Sequence, residues 1–78
     1  MPHRETIKLV PTELQVFARR LREARREASL TQARLGQLAG LDRTYISHLE
    51  RGLANPSLVK MSQLARIVGK SVADLLRG

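Results

Sequence analysis

The 78-residue chain has no cysteine and no tryptophan, and its aromatic rings are limited to Phe17 and Tyr45. Without cysteine there is no disulfide, no thiolate metal site and no thiol nucleophile. Two rings are too few for a platform that stacks single-stranded bases. Two histidines, His3 and His48, are too few for a metal cluster, so neither metal nor cofactor is expected. No apolar run approaches a membrane span, and Met1–Val10 lacks the apolar centre of a signal peptide. These absences lead us to expect a soluble, cytoplasmic chain. Acidic residues are also scarce, at 7 against 14 Lys and Arg, for a formal net charge of +7. Such a balance attracts polyanions. Nucleic acid leads over an anionic membrane or an acidic protein, because neutralising phosphates releases counterions.

The length suits one domain with a small core. With neither disulfide nor metal to reinforce it, dimerisation is the expected addition. Residues 1–11 carry Pro2 and Pro11 without helical period and read as a flexible arm, in which Ile7, Leu9 and Val10 are apolar. Residues 12–78 read as five helices and no strand, an all-α fold. Thr12 is the expected first N-cap, and Leu14, Phe17, Leu21, Ala24 and Ala28 form a buried stripe at helical spacing. The charged residues between them, Arg19, Arg20, Arg22 and Arg26 with Glu23 and Glu27, read as a mostly solvated face. Thr31 caps a helix over residues 32–39, with Leu35 and Leu38 inward and Gly40 ending it. Asp42 caps a third helix over residues 43–51, with Ile46 and Leu49 inward and Gly52 stopping it. Ser57 caps a fourth helix through Val68, with Leu58, Met61, Leu64, Ala65 and Val68 apolar. Ser71 caps a short fifth with Val72, Leu75 and Leu76.

Two short helices joined through Gly40 meet the requirements of a helix-turn-helix over residues 31–51. Gly36 supplies a small residue where the two helices nearly touch, and Gly40 can take a positive φ. Leu41, Ile46 and Leu49 pin the second helix, leaving Arg43, Thr44, Ser47, His48 and Arg51 outward. Those side chains suit base edges and phosphates: arginine bonds guanine twice, and threonine offers a hydroxyl and a methyl group.

The stretch LTQARLGQLAGLDRTYISHLERGLANPSL resembles the phage-repressor (Cro-type, lambda-repressor-like) helix-turn-helix family. The matching residues are Leu30–Gln32, Leu35–Gly36, Gly40, Tyr45–Ser47, Glu50–Gly52 and Pro56–Ser57. Within that family the LDRTYIS, ERG and NPSL strings are similar to controller proteins of restriction–modification systems. The resemblance implies that Arg43, Thr44, Ser47 and His48 read bases. It implies that Gln32, Tyr45, Arg51 and Asn55 meet phosphates, with Gln32 beside the positive end of its helix. It pairs Arg25 with Glu50 as a buried ion pair. The family usually has alanine where this chain has Gly36, so a local weakness of roughly 0.5–1 kcal/mol is expected there.

The function expected is therefore a transcriptional regulator, repressor or activator, that binds double-stranded DNA as a homodimer on a palindromic operator. Val68, Val72, Leu75 and Leu76 are the expected dimer contacts. No catalytic constellation is visible, so no enzyme is expected, and 78 residues leave no room for a small-molecule effector domain. The competing reading is an antitoxin or protein-interaction module with secondary DNA binding, motivated by the apolar residues of the arm.

Overall fold

The computed structural model describes residues 9–78; the expected arm, with His3 and Ile7, falls largely outside the described residues. Five helices follow in order: α1 (Pro11–Glu27), α2 (Gln32–Ala39), α3 (Arg43–Glu50), α4 (Leu58–Ile67) and α5 (Val72–Leu76). Helix α1 begins earlier than its polar residues suggest. Pro11, not Thr12, opens it, with Val10 as the N-cap. A proline at the first position loses no hydrogen bond and arrives with helical φ. The Glu13 carboxylate instead accepts from the Val10 N–H at 3.4 Å.

Three of the expected caps form. The Thr31 and Ser57 hydroxyls accept from the amides of Arg34 and Lys60. Ser71 and Asp74 exchange two bonds of 3.0 Å, and these hold the Asp74 carboxyl below its ordinary carboxylate range. Asp42 is the N-cap of α3 by backbone conformation, but its side chain makes no capping bond. The carboxylate is exposed to solvent.

The ends of α1 and α2 close in one way. After α1, the Leu30 N–H donates to the Arg25 carbonyl at 3.1 Å and the Ser29 N–H to the Arg26 carbonyl at 3.0 Å. This reversal needs one residue in the left-handed region. Gly40 fills that place after α2 at φ 69°, but after α1 it is Ser29, at φ 59°.

Phe17, Leu21 and Ala24 of α1 meet Leu35, Ile46, Leu49, Met61, Leu64, Ala65 and Leu75 in one buried cluster. Helix α1 packs against α3 and α5, and α2 against α3 and α4. Some expected inward residues lie outside this core, among them Leu14, which is only half-buried, and Leu58, which is exposed. Leu38 is 47% exposed, because α2 turns Leu35 inward and leaves its neighbouring face at the rim. Ala28 is exposed at the C-cap, where the chain leaves α1.

Ser29→Gly should stabilise the domain by about 0.5–1 kcal/mol. Relief of left-handed strain, about 1–2 kcal/mol, outweighs the added freedom of the unfolded chain, about 0.4–1 kcal/mol. Urea denaturation checks this, and an unchanged or lowered midpoint at constant slope would contradict it.

Candidate nucleic-acid interface

The turn between α2 and α3 is set by a close backbone approach. The Leu41 N–H donates to the Gly36 carbonyl at 2.8 Å. A β-carbon added at Gly36 would lie 2.5 Å from the Leu41 carbonyl oxygen. A main-chain oxygen so placed cannot move aside without shifting the turn. The glycine expected to weaken α2 is therefore what lets α3 sit where it does. Gly40, with open space around it, answers a different need, the positive φ of the turn.

Helix α3 is held from behind by Ile46 and Leu49, both fully buried. Its far end is tied by Glu50. The Arg25 Nε donates to Glu50 Oε2 at 2.6 Å and an Arg25 Nη donates to Oε1 at 3.0 Å. A second Arg25 Nη donates to the Leu30 carbonyl at 2.8 Å. Gln32 Nε2 donates to Glu50 Oε1 at 3.1 Å. The two charged side chains are 10% and 2% exposed. The arrangement thus joins the end of α1, the loop, the first residue of α2 and the last of α3. Among the described residues no buried side-chain nitrogen or oxygen lacks a partner, as a buried charge requires. The resemblance named the pair; the Gln32 bond and the Leu30 bond had no signal in the sequence.

With that side anchored, Arg43, Thr44 and His48 are exposed on the opposite face of α3, and Ser47 is half-buried beside them. Tyr45 is half-buried against the core. Burial pushes its phenol pKa up, and Lys60 Nζ stands 5.9 Å from its ring centre. Arg51 is the C-cap of α3 and is exposed. Gln32, expected at a phosphate, turns its side-chain amide inward to Glu50 Oε1. The Asn55 side chain exchanges two bonds of 3.4 Å with the main chain of Leu9. This fastens the segment before α1 to the loop after α3.

The apolar residues expected at a dimer edge divide into two pairs. Val68 and Leu75 are 5% and 1% exposed and are spent in the chain's own core. Val72 and Leu76 are half-buried and keep surface facing outward. On the first turn of α4, Leu58 and Val59 are 37% and 45% exposed. The apolar pattern of α4 and α5 could not separate these sets, because one period serves both the core and the surface beyond it.

An all-helical domain in which a tight turn presents a rigid, polar second helix is a helix-turn-helix domain. A helix-turn-helix family model matches residues 21–75, and the chain belongs to that family. The HTH-type transcriptional regulator DdrOP3 of Deinococcus deserti is 44% identical over 59 residues, which are 76% of this chain but 46% of that protein. Control protein C.SmaI of Serratia marcescens is 36% identical over 62 residues, 80% of this chain and 74% of its own length. Among solved structures, the restriction–modification controller protein C.AhdI of Aeromonas hydrophila matches with a TM-score of 0.76 and 41% identity. That match covers 82% of this chain and 97% of C.AhdI.

Gly36→Ala should destabilise the domain, against helix propensity. Alanine gains roughly 1 kcal/mol within α2, but overpacking against a main-chain oxygen costs about 1–3 kcal/mol. Thermal melting checks the sign: a raised midpoint would mean that α3 can retreat at no cost.

Proposed function

We propose that the chain is a sequence-specific regulator of transcription that binds double-stranded DNA as a homodimer on a palindromic operator, as a controller of a restriction–modification system. The observation that carries this reading is the outward face of α3, where Arg43, Thr44, Ser47 and His48 stand on a helix fixed by the Gly36 approach and the Glu50 tie. A side chain must meet a base edge within a few tenths of an ångström to discriminate, so a helix held on two sides is the element able to do it. In this reading α3 enters the major groove, and Arg43, nearest its N-terminus, takes guanine O6 and N7. The first turn of α2 at Gln32, together with Tyr45, Arg51 and the Asn55 loop, meets the phosphates that set register. Val72 and Leu76, with Val68 and Leu75 behind them, form the two-fold contact. Two copies of α3 then reach half-sites about 34 Å apart. The near-complete coverage of C.AhdI and the match to C.SmaI support the controller assignment.

Arg43→Ala should relax preference at one base position by about 1–3 kcal/mol, whereas Gln32→Ala should weaken binding to all sequences alike. Fluorescence anisotropy on a set of duplexes carrying every single-base change tests both. Base preferences unchanged by Arg43→Ala would overturn the assignment of α3. Binding should also rise more steeply than first order with protein concentration, and a simple one-site isotherm would count against the dimer.

A further inference from the structure

The outer face of α1 carries a charge asymmetry that the reading face leaves unexplained. On one side of the helix, charges of both signs alternate and pair. Arg20 meets Glu23, and Lys70 meets Glu27, each at 3.5 Å, around a small cleft floored by Leu75. On the other side an open groove of about 210 Å³ runs between α1 and the end of α3. Its lining includes Gln15, Arg19 and Arg22 from α1, and Glu50, Arg51 and Gly52 from the end of α3. None of these three arginines pairs with a carboxylate among the described residues. Glu50, the one carboxylate in the groove wall, is already neutralised by the two bonds from Arg25. Arg19 and Arg22 are three residues apart on one helix face, where like charges repel. The groove is thus a concave, uncompensated cationic surface with an amide donor beside it. It is continuous through Arg51 with the helix that carries the reading face.

We infer that this groove grips a backbone phosphate of duplex DNA beyond the bases read by α3, with Arg19 and Arg22 as the gripping residues and Gln15 as a further donor. The inference rests on the DNA-binding reading and extends the contact from α3 on to α1. A phosphodiester suits the site because three arginines from two elements line it, and arginine binds phosphate oxygens with paired, charge-assisted bonds. The contact carries no base information, so it sets affinity and footprint length without altering sequence preference.

The test compares wild type with Arg19→Gln/Arg22→Gln by fluorescence anisotropy on a labelled duplex of random sequence, over a salt series. A matched control, Arg66→Gln/Lys70→Gln, removes the same charge from outside the groove. The groove variant should lower the slope of log affinity against log salt by about 2, one unit for each lost contact. Its affinity deficit should accordingly shrink about tenfold between roughly 50 and 200 mM salt. The control should change the slope by much less, and melting temperatures should show all three proteins folded. A wild-type slope in the groove variant, or an equal loss in the control, overturns the groove. Competition with inorganic phosphate separates a free-anion site: displacement of DNA by millimolar phosphate in wild type but not in the groove variant would make free phosphate the occupant and overturn the backbone contact. If wild type shows no salt-dependent affinity for duplex DNA, the DNA-binding reading itself fails, which is a different result from a silent double variant.

Discussion

The bidentate bond between Arg25 and Glu50 is the constraint on which the site depends. Taking two charges out of water is costly, and their attraction offsets that cost only when geometry is good and the remaining donors and acceptors are filled. Here the Leu30 carbonyl and the Gln32 amide fill them. Such a pair adds little net stability over a well-packed apolar substitute, yet loss of one partner alone leaves an uncompensated charge costing about 3–5 kcal/mol. What it contributes is position. Four chain segments must be correctly placed for all four bonds to form, so the end of α3 cannot drift relative to α1 and α2. The opposite end of α3 is fixed by sterics, where Gly36 admits the Leu41 carbonyl oxygen into space that a β-carbon would otherwise occupy. A helix of eight residues would be marginal alone. Held at both ends and along Ile46 and Leu49, it becomes a rigid support for four outward side chains.

The electrostatic pattern follows the same division. Glu23 and Glu27 pair with Arg20 and Lys70 on one side of α1, and Glu50 locks α3 from within. Among the described residues, Arg43, Arg51, Arg19 and Arg22, on and beside α3, belong to the arginines that pair with no carboxylate. A net charge of +7 gives the chain its general attraction to polyanions, but the distribution of that charge decides which face turns toward them.

Much of this was legible in the sequence, for reasons that can be assigned. Glycine and hydroxyl residues mark helix ends through local chemistry, so Thr31, Ser57, Ser71 and Gly40 fell where the structure has them. The core periodicity of Phe17, Leu21, Ile46, Leu49 and Leu64 survives because a short helix has one inward face. The motif resemblance paired Arg25 with Glu50. Illegible features depend on tertiary distance or on conformations that the residue type does not announce. Ser29 in a left-handed turn carries no glycine signal. The start of α1 at Pro11 competed with a better-looking cap at Thr12. Gly36 looked like a weakness because helix propensity is a local quantity, whereas the oxygen it must accommodate belongs to the next helix. Val68 and Val72 looked alike as dimer contacts because apolar periodicity cannot tell the core from the surface beyond it. The bond of Asn55 to Leu9, spanning 46 residues, and the groove between α1 and α3 exist only once the chain is folded.

The account's central claim is that the fixed face of α3 reads base sequence. The most direct measurement is selection of bound duplexes from a fully randomised library by the intact chain, with sequencing of the recovered pool. The account predicts an enriched motif of two inverted half-sites with centres about one helical turn apart. A recovered pool indistinguishable from the input, at salt low enough for binding to occur, would contradict it.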